Sequence, residues 1–260
     1  ARLGARVRDY LAEARMESHF RPSNSDSGFD VVTDNRFYAS AEGVEWEETS
    51  FTLNGTKWGP KRPPFPLLQA EKVLSLPLDL RLSKDYRYRL EGIERVGSVD
   101  CYAVRFDPVE GSRSLYRGTV WIEVESFLKV KLQTTQTNLQ PPILASEEIQ
   151  FVDPVATPDA GSVRLLTRFV TRQTMLIAGR SLLVERQVVF SNFSVNSPDF
   201  LERRAASRAS ESIMFKDTER GLRHYLKKNG TRVVEERPTT NAKALAMGTL
   251  IDPSYEFPLP

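Results

Sequence analysis

The densest group of ionisable side chains in the sequence is Glu45, Glu47 and Glu48 around Trp46. On a strand, Glu45 and Glu47 would share one face and Glu48 would lie on the other. Paired carboxylates carry out acid–base chemistry on glycosides, which makes a hydrolase one hypothesis. That hypothesis requires a second acidic partner in a shared cleft, whereas adjacent glutamates on a solvated strand edge are the alternative.

The other reactive groups are few. Cys101 lies in a predicted strand on the face opposite Tyr102, which is typical of a small packed side chain. His19 and His224 are far apart in the chain, so we predict no metal site. The nucleophile-elbow, phosphate-loop, dinucleotide and zinc-protease motifs are all missing from the sequence. We therefore predict no catalytic residues, no cofactor and no enzyme activity.

The charge balance argues against a polyanionic partner. The 260 residues include 36 basic and 34 acidic side chains, a net charge of +2, which gives no bulk attraction to nucleic acid. The stretch Tyr86-Arg87-Tyr88-Arg89 resembles a stacking platform for single strands, but tyrosines and arginines would lie on opposite strand faces. We predict no nucleic-acid binding.

The elements that position these residues are mainly strands. From Phe29 to about Asn196, apolar and polar residues alternate with a period of two, and turn-like connectors such as Gly92–Gly97 separate the runs. The pattern predicts an antiparallel sheet with one covered face and one wet face. Long crossover helices are missing between the runs, which argues against parallel architecture.

Three helices and one hairpin are predicted around this sheet. Leu3, Val7, Tyr10, Leu11 and Ala14 form one helical apolar stripe at the start of the sequence. Prolines bound a short segment, Leu67–Leu76, that predicts a second helix. The third helix starts near Ser197-Pro198-Asp199 and continues to about Ser212, and Asn229-Gly230 then predicts a hairpin.

The apolar face of the predicted strands is unusually aromatic. It is either a packed core or the lining of a hollow that holds an apolar ligand, and the residues alone leave both open. The predicted lining residues are Phe51, Tyr86, Tyr88, Leu90, Tyr102, Val104, Phe106, Tyr116, Val120, Ile122, Val130, Leu132, Ile149 and Phe151.

Two segments of the strand region stand out: Tyr86–Phe106, YRYRLEGIERVGSVDCYAVRF, and Leu115–Gln133, LYRGTVWIEVESFLKVKLQ. Both resemble the bacterial lipoprotein-carrier superfamily, which includes the periplasmic carrier LolA and the outer-membrane receptor LolB. The closing segment Phe190–Phe200 is similar to the last strand of that superfamily. The resemblance implies an α+β fold in which a curved antiparallel sheet, an incomplete β-barrel, wraps over a few helices.

The resemblance also implies a function without a cofactor: binding of acyl chains, a lipid or a lipoprotein in the concave face, in the periplasm or on the periplasmic face of the outer membrane. Leu67, Leu68, Val73 and Leu74 would then belong to a lid. We expect a half-barrel domain at 1–200 and a helix, hairpin and connector at 201–260. The whole chain would then be the soluble N-terminal part of a larger envelope protein. The alternative is an interaction module of an outer-membrane assembly with a packed, ligand-free interior.

Overall fold

The computed structural model describes ten stretches of the chain: 7–23, 28–41, 43–59, 86–109, 116–139, 143–158, 161–177, 179–216, 223–228 and 231–236. They form one antiparallel sheet of fourteen strands and one helix. The strands are β1 Asp9–Pro22, β2 Phe29–Ser40, β3 Gly43–Leu53, β4 Thr56–Trp58, β5 Tyr86–Val96, β6 Val99–Pro108, β7 Tyr116–Glu123, β8 Lys129–Gln136, β9 Ile143–Ala156, β10 Ser162–Ile177, β11 Arg180–Val195, β12 Ile213–Lys216, β13 Arg223–Lys228 and β14 Thr231–Glu236; the helix is α1 Phe200–Ala209.

The sheet consists of two runs of antiparallel strands that meet where β11 pairs with β1. Strands β5 to β11 are neighbours in chain order, β11 pairs with β1, and the order continues through β2, β3, β12, β13 and β14, with β4 beside β3. The sheet is curved and unclosed. Arg164 on β10 pairs with Glu123 on β7 at 2.9 Å, although three strand spacings, about 14 Å in a flat sheet, separate their strands. This contact requires the sheet to bend between β7 and β10.

The prediction of a helix at the start of the sequence is wrong for the described part, because Asp9–Pro22 is strand β1. Its buried positions Ala12, Ala14, Ser18 and Phe20 alternate with Glu13, Arg15 and His19. This period of two overlaps the end of the helical stripe, which Ala14 belongs to as well. Pairing with β2 on one side and β11 on the other supplies backbone hydrogen bonds along nearly the whole strand, which overrides the local helical pattern.

The helix after the sheet and the C-terminal hairpin are confirmed, as α1 and as the pair β13–β14. The predicted fold class needs a correction, because the described chain is nearly all sheet with a single helix rather than α+β with a few helices. The Leu67–Leu76 helix lies outside the described residues. Strand β12 pairs with β3, so the sheet continues past residue 200, and the domain boundary there stays a prediction.

The predicted connector Gly92–Gly97 belongs mostly to β5. Gly92, at φ 141°, lies at a bulge where the β5–β6 register shifts, and the strand resumes to Val96. The turn itself is Gly97-Ser98, with Gly97 at φ 61°. Glycine adopts both conformations without steric cost, so the first glycine continues the strand and only the second reverses it.

The two faces of the sheet differ sharply. We call the face that carries Phe20, Phe37 and Phe169 the apolar face, because the two largest buried clusters lie on it. The opposite face of β1 and β2 is charged and partly exposed, with cross-strand pairs such as Arg15–Asp34 at 3.1 Å and His19–Asp30 at 2.9 Å. Helix α1 packs on this opposite face, where Phe200 contacts Leu11, Tyr38 and Met214.

Candidate functional site

Ten of the fourteen predicted lining residues lie together on the apolar face of β5 to β8. Cross-strand register sets Leu90 opposite Val104, Val104 opposite Val120, and Val120 opposite Leu132. Tyr86 and Tyr88 pack against Phe106, which is fully buried. We call this surface the β5–β8 patch; its members are Tyr86, Tyr88, Leu90, Tyr102, Val104, Phe106, Tyr116, Val120, Ile122 and Leu132.

The other four predicted lining residues lie elsewhere. Phe51 belongs to the separate apolar cluster around Phe20. Val130 packs with Cys101, Ala103 and Trp121, beside a register shift between β7 and β8.

Ile149 and Phe151 require a correction, because they lie on the face opposite the patch. The Phe151 ring is covered by the Arg168 guanidinium, 3.8 Å from the ring centroid. The alternating residues Glu148 and Gln150 take the buried positions instead. In the middle of β9 the apolar side chains therefore do not mark the buried face, whereas Ile143 and Val152 near its ends are buried.

The rim of the β5–β8 patch is exposed. Leu90 on β5 is 60% exposed and Ile93 is 63% exposed. Phe127, in the β7–β8 turn, is 70% exposed and stacks on Tyr102 with ring centroids 6.2 Å apart. Phe127 also has a φ of 57°, whereas the other four non-glycine residues with positive φ in the described chain are asparagines. A bulky residue in this conformation is uncommon and strained.

The acidic cluster is buried beneath α1. Glu45 and Glu47 share the opposite face and Glu48 lies on the other, as predicted. Arg208 of α1 binds both Glu45 oxygens, with Nε 2.7 Å from Oε2. Glu47 accepts hydrogen bonds from Ser207 at 2.6 Å, Ser210 at 3.0 Å and Arg36 at 3.2 Å.

These contacts are incompatible with the hydrolase hypothesis. A catalytic pair needs carboxyl oxygens that face a substrate cleft, and the helix covers both. The oxygens of Glu45 and Glu47 already accept hydrogen bonds from side chains of α1, from Ser210 just after it and from Arg36 on β2. The cluster therefore fastens α1 to the sheet.

Cys101 is a packed side chain, as predicted. It is fully buried with Ala103 and Trp121, and burial raises the pKa of its thiol. A raised pKa leaves little thiolate at neutral pH, which disfavours nucleophilic chemistry.

A row of polar side chains crosses the apolar face, and the sequence patterns did not reveal it. Directly opposed pairs run Ser18–Arg186, Arg186–Thr171, Thr171–Glu148 and Glu148–Thr134, across β1, β11, β10, β9 and β8. We call these five residues the polar row. The signal in the sequence is weak, because only the pairing register aligns these five residues across the sheet. Further buried polar residues lie on the same face of β8, β9 and β10: Gln136, Ser146, Gln150 and Gln173.

Glu148 is the unusual member of the polar row. Burial raises the pKa of its carboxyl to about 7, against the smaller lowering effects of Gln150 and Lys129. In the described part of the chain its carboxyl accepts one hydrogen bond, from Gln150 Nε2 at 2.6 Å. Desolvation and the nearby Glu148 charge in turn raise the pKa of Tyr116. The row therefore holds a carboxyl group whose pKa burial raises well above its ordinary value.

The lid residues Leu67, Leu68, Val73 and Leu74 lie outside the described residues, as does the predicted helix that would carry them. Across the stretches that the structure describes, no group of acidic, histidine and cysteine side chains could hold a metal ion. No helix among the described residues is both long and apolar enough to cross a membrane.

The described strands define the class of fold as an unclosed, curved antiparallel sheet with one apolar face. Residues 49–161 match the family model of the MucB/RseB N-terminal domain. That domain has the LolA-like fold, so the match confirms the resemblance to the lipoprotein-carrier superfamily. The matched span covers less than half of the chain. None of the curated proteins compared with this sequence matches it.

Solved structures with low sequence identity resemble the chain. A DUF1329 family protein from Desulfovibrio piger is 15% identical over 76% of this chain and 91% of its own, with a TM-score of 0.35. A putative outer membrane lipoprotein-sorting protein domain from Vibrio parahaemolyticus is 12% identical over 77% and 94%, with a TM-score of 0.34. A LolA superfamily protein from Nitrosomonas europaea is 12% identical over 73% and 88%, with a TM-score of 0.33.

Proposed function

We propose that this chain is a non-enzymatic domain of the cell envelope that binds an apolar ligand, an acyl chain of a lipid or lipoprotein, on the apolar face of its curved sheet. The β5–β8 patch carries this proposal. Ten apolar and aromatic residues of four adjacent strands share one face there, and Leu90 at its edge is exposed. Each methylene group of a chain that such a surface removes from water contributes about 0.8 kcal/mol.

The MucB/RseB match supports this proposal and a location in the periplasm or on the periplasmic face of the outer membrane. The partner would then be an acyl chain, a lipid or a lipoprotein. The lid prediction for Leu67, Leu68, Val73 and Leu74 stays part of the proposal, since a ligand on an open sheet face needs a cover to exclude water.

A matched pair of leucine variants tests the site. Leu90→Glu places a carboxylate at the edge of the patch, and Leu201→Glu places one on α1, where Leu201 is 66% exposed. Both positions are solvent-exposed, so both variants should fold. We expect Leu90→Glu to weaken binding of a fluorescent fatty acid to the delipidated protein at least about fivefold, because a charge beside an apolar ligand is costly. Leu201→Glu should bind as the wild type does.

Native mass spectrometry of the gently purified protein gives an independent readout. Copurified fatty acid or lipid in the wild type, reduced in Leu90→Glu, supports the proposal. A wild-type protein that carries no ligand and has no affinity for fatty acids or lipopeptides contradicts it.

A second candidate is an interaction module of an outer-membrane assembly with a packed interior. Phe127 favours it, since a strained and exposed aromatic that stacks on Tyr102, directly opposite the exposed Ile93, is typical of a protein-binding surface. Phe127→Asn keeps a residue suited to the turn and removes the ring. If the wild type binds no fatty acid while Phe127→Asn loses cross-linking to an outer-membrane protein, the interaction function replaces ligand binding.

A further inference from the structure

The polar row divides the apolar face into two parts. The cluster containing Phe37, Phe169 and Val188 lies on one side of it, and the cluster containing Phe20, Met175 and Val184 lies on the other. Rows of residues directly opposed across a sheet have side chains about 5 Å apart. The five residues of the row therefore form a continuous polar strip, which the two apolar clusters flank on β1 and β11. On β8, β9 and β10 the strip is widened by further buried polar residues, Gln136, Ser146, Gln150 and Gln173.

The hydrogen-bonding capacity of the strip is not used up by the described chain. Thr134 is 1% exposed, and its hydroxyl has no hydrogen-bond partner among the residues that the structure describes. Directly across from it, Glu148 is 9% exposed and accepts one hydrogen bond there, although a carboxyl group can accept several. An unpaired buried hydroxyl costs about 1–3 kcal/mol, so a pair of this kind indicates a missing partner.

We propose that Thr134 and Glu148 bind a neutral hydrogen-bond donor, a hydroxyl or an amide N–H, on an amphiphile whose alkyl chain lies along the neighbouring apolar surfaces. This inference rests on the proposed function and specifies the ligand class of the same apolar face. The Glu148 carboxyl accepts from the donor, and the Thr134 hydroxyl either accepts or donates.

The geometry disfavours a ligand with an anionic head. A carboxylate or phosphate at Thr134 would lie next to Glu148, directly across the β8–β9 pair. When the Glu148 carboxyl is ionised, two like charges at that distance in a buried site repel strongly. A fatty acid should therefore bind with its head away from the row, or bind less tightly than a neutral amphiphile with the same chain.

Two ligands with one chain length separate these possibilities: 1-monomyristoylglycerol, which has neutral hydroxyl donors, and myristate, which has a carboxylate. Both displace a bound neutral fluorescent probe from the delipidated full chain. We expect the monoacylglycerol to bind wild type at least about fivefold more tightly, which is the effect of one net hydrogen bond.

Thr134→Val removes the hydroxyl and keeps the shape of the side chain. It should weaken monomyristoylglycerol binding about fivefold and leave myristate binding unchanged. Thr135→Val is the matched control, because Thr135 is the next residue of β8 and lies exposed on the opposite face. Glu148→Gln removes the charge, and myristate should then bind several-fold more tightly than it binds the wild type.

The outcomes are distinguishable. If both ligands bind equally and Thr134→Val matches Thr135→Val, the role of the polar row is wrong while the proposed ligand binding stands. If neither ligand displaces the probe from wild type, the proposed function fails, and this inference fails with it.

Discussion

Two buried carboxylate sites lie on opposite faces of the sheet and differ in how completely their oxygens are hydrogen-bonded. Beneath α1, Glu47 accepts from three donors and Glu45 is held by both nitrogens of Arg208 that reach it. On the apolar face, Glu148 accepts from one amide in the described chain. The first site is consistent with a structural role, because a buried charge is tolerated when paired and fully bonded.

The number of hydrogen bonds that a buried carboxylate accepts indicates its role. Saturated carboxylates hold an element in place, whereas a carboxyl with spare acceptor capacity beside an unpaired hydroxyl has room for a further partner. Glu45, Glu47 and Glu48 suggest catalysis in the sequence only because they are close together along the chain. Glu148, which no motif marks, has a pKa that burial raises to about 7.

Removing the Arg208 partner of Glu45 should lower the free energy of unfolding more than any other change considered. Arg208→Met leaves Glu45 buried without its guanidinium partner, and we expect the free energy of unfolding to fall by about 3–5 kcal/mol. Urea denaturation measures the loss. Arg203→Met is the control on the same helix, because Arg203 and Asp199 form an exposed pair, and it should change stability by less than about 0.5 kcal/mol. A loss below about 1 kcal/mol in Arg208→Met would show that the ion pair does not fasten α1.

The pH dependence of stability tests the Glu148 site. The pKa of Glu148 is raised to about 7 from an ordinary value of 4.5, so the folded protein holds this proton after the unfolded chain has lost it. The stabilising contribution is present below pH 4.5 and is lost as pH rises through 7. At about 1.4 kcal/mol per unit, the loss is about 3 kcal/mol.

The matched variant isolates this effect. Glu148→Gln cannot ionise, so its unfolding free energy should stay level where that of the wild type falls, between pH 4.5 and 7.5. Asp30 and Glu123 have lowered pKa values, lose their contributions in a lower pH range and are present in both proteins. Parallel curves for the two proteins between pH 4.5 and 7.5 would mean that Glu148 is solvated.

The smallest expected effect concerns Thr134 alone. Thr134→Val removes a buried hydroxyl without a partner in the described chain and should raise the free energy of unfolding by up to about 1 kcal/mol. Thr135→Val, on the exposed side of the same strand, should change it by less than about 0.5 kcal/mol. Thermal unfolding of the ligand-free variants measures both. Destabilisation by Thr134→Val would show that the hydroxyl is already bonded.

Much of the sheet could be predicted from the sequence, because a period of two is a local property. The alternation in β5, β6 and β7 correctly set Tyr88, Val104 and Val120 on one face. The same reasoning fails on β9, where the alternation predicts Ile149 and Phe151 on the inner face. There, neighbouring strands supply Thr134 and Thr171 to the apolar side, and Lys131 and Arg168 cover Phe151 on the other.

Local sequence patterns account for the strand content, the faces of β5 to β8, the α1 helix and the packed state of Cys101, since each depends on residues a few positions apart. Three features depend on tertiary contacts instead: Asp9–Pro22 is a strand, Glu45 and Glu47 lie beneath a helix more than 150 residues away, and the polar row aligns across five strands. The reason is physical: pairing register and helix docking join residues that are distant along the chain, and no local period records them.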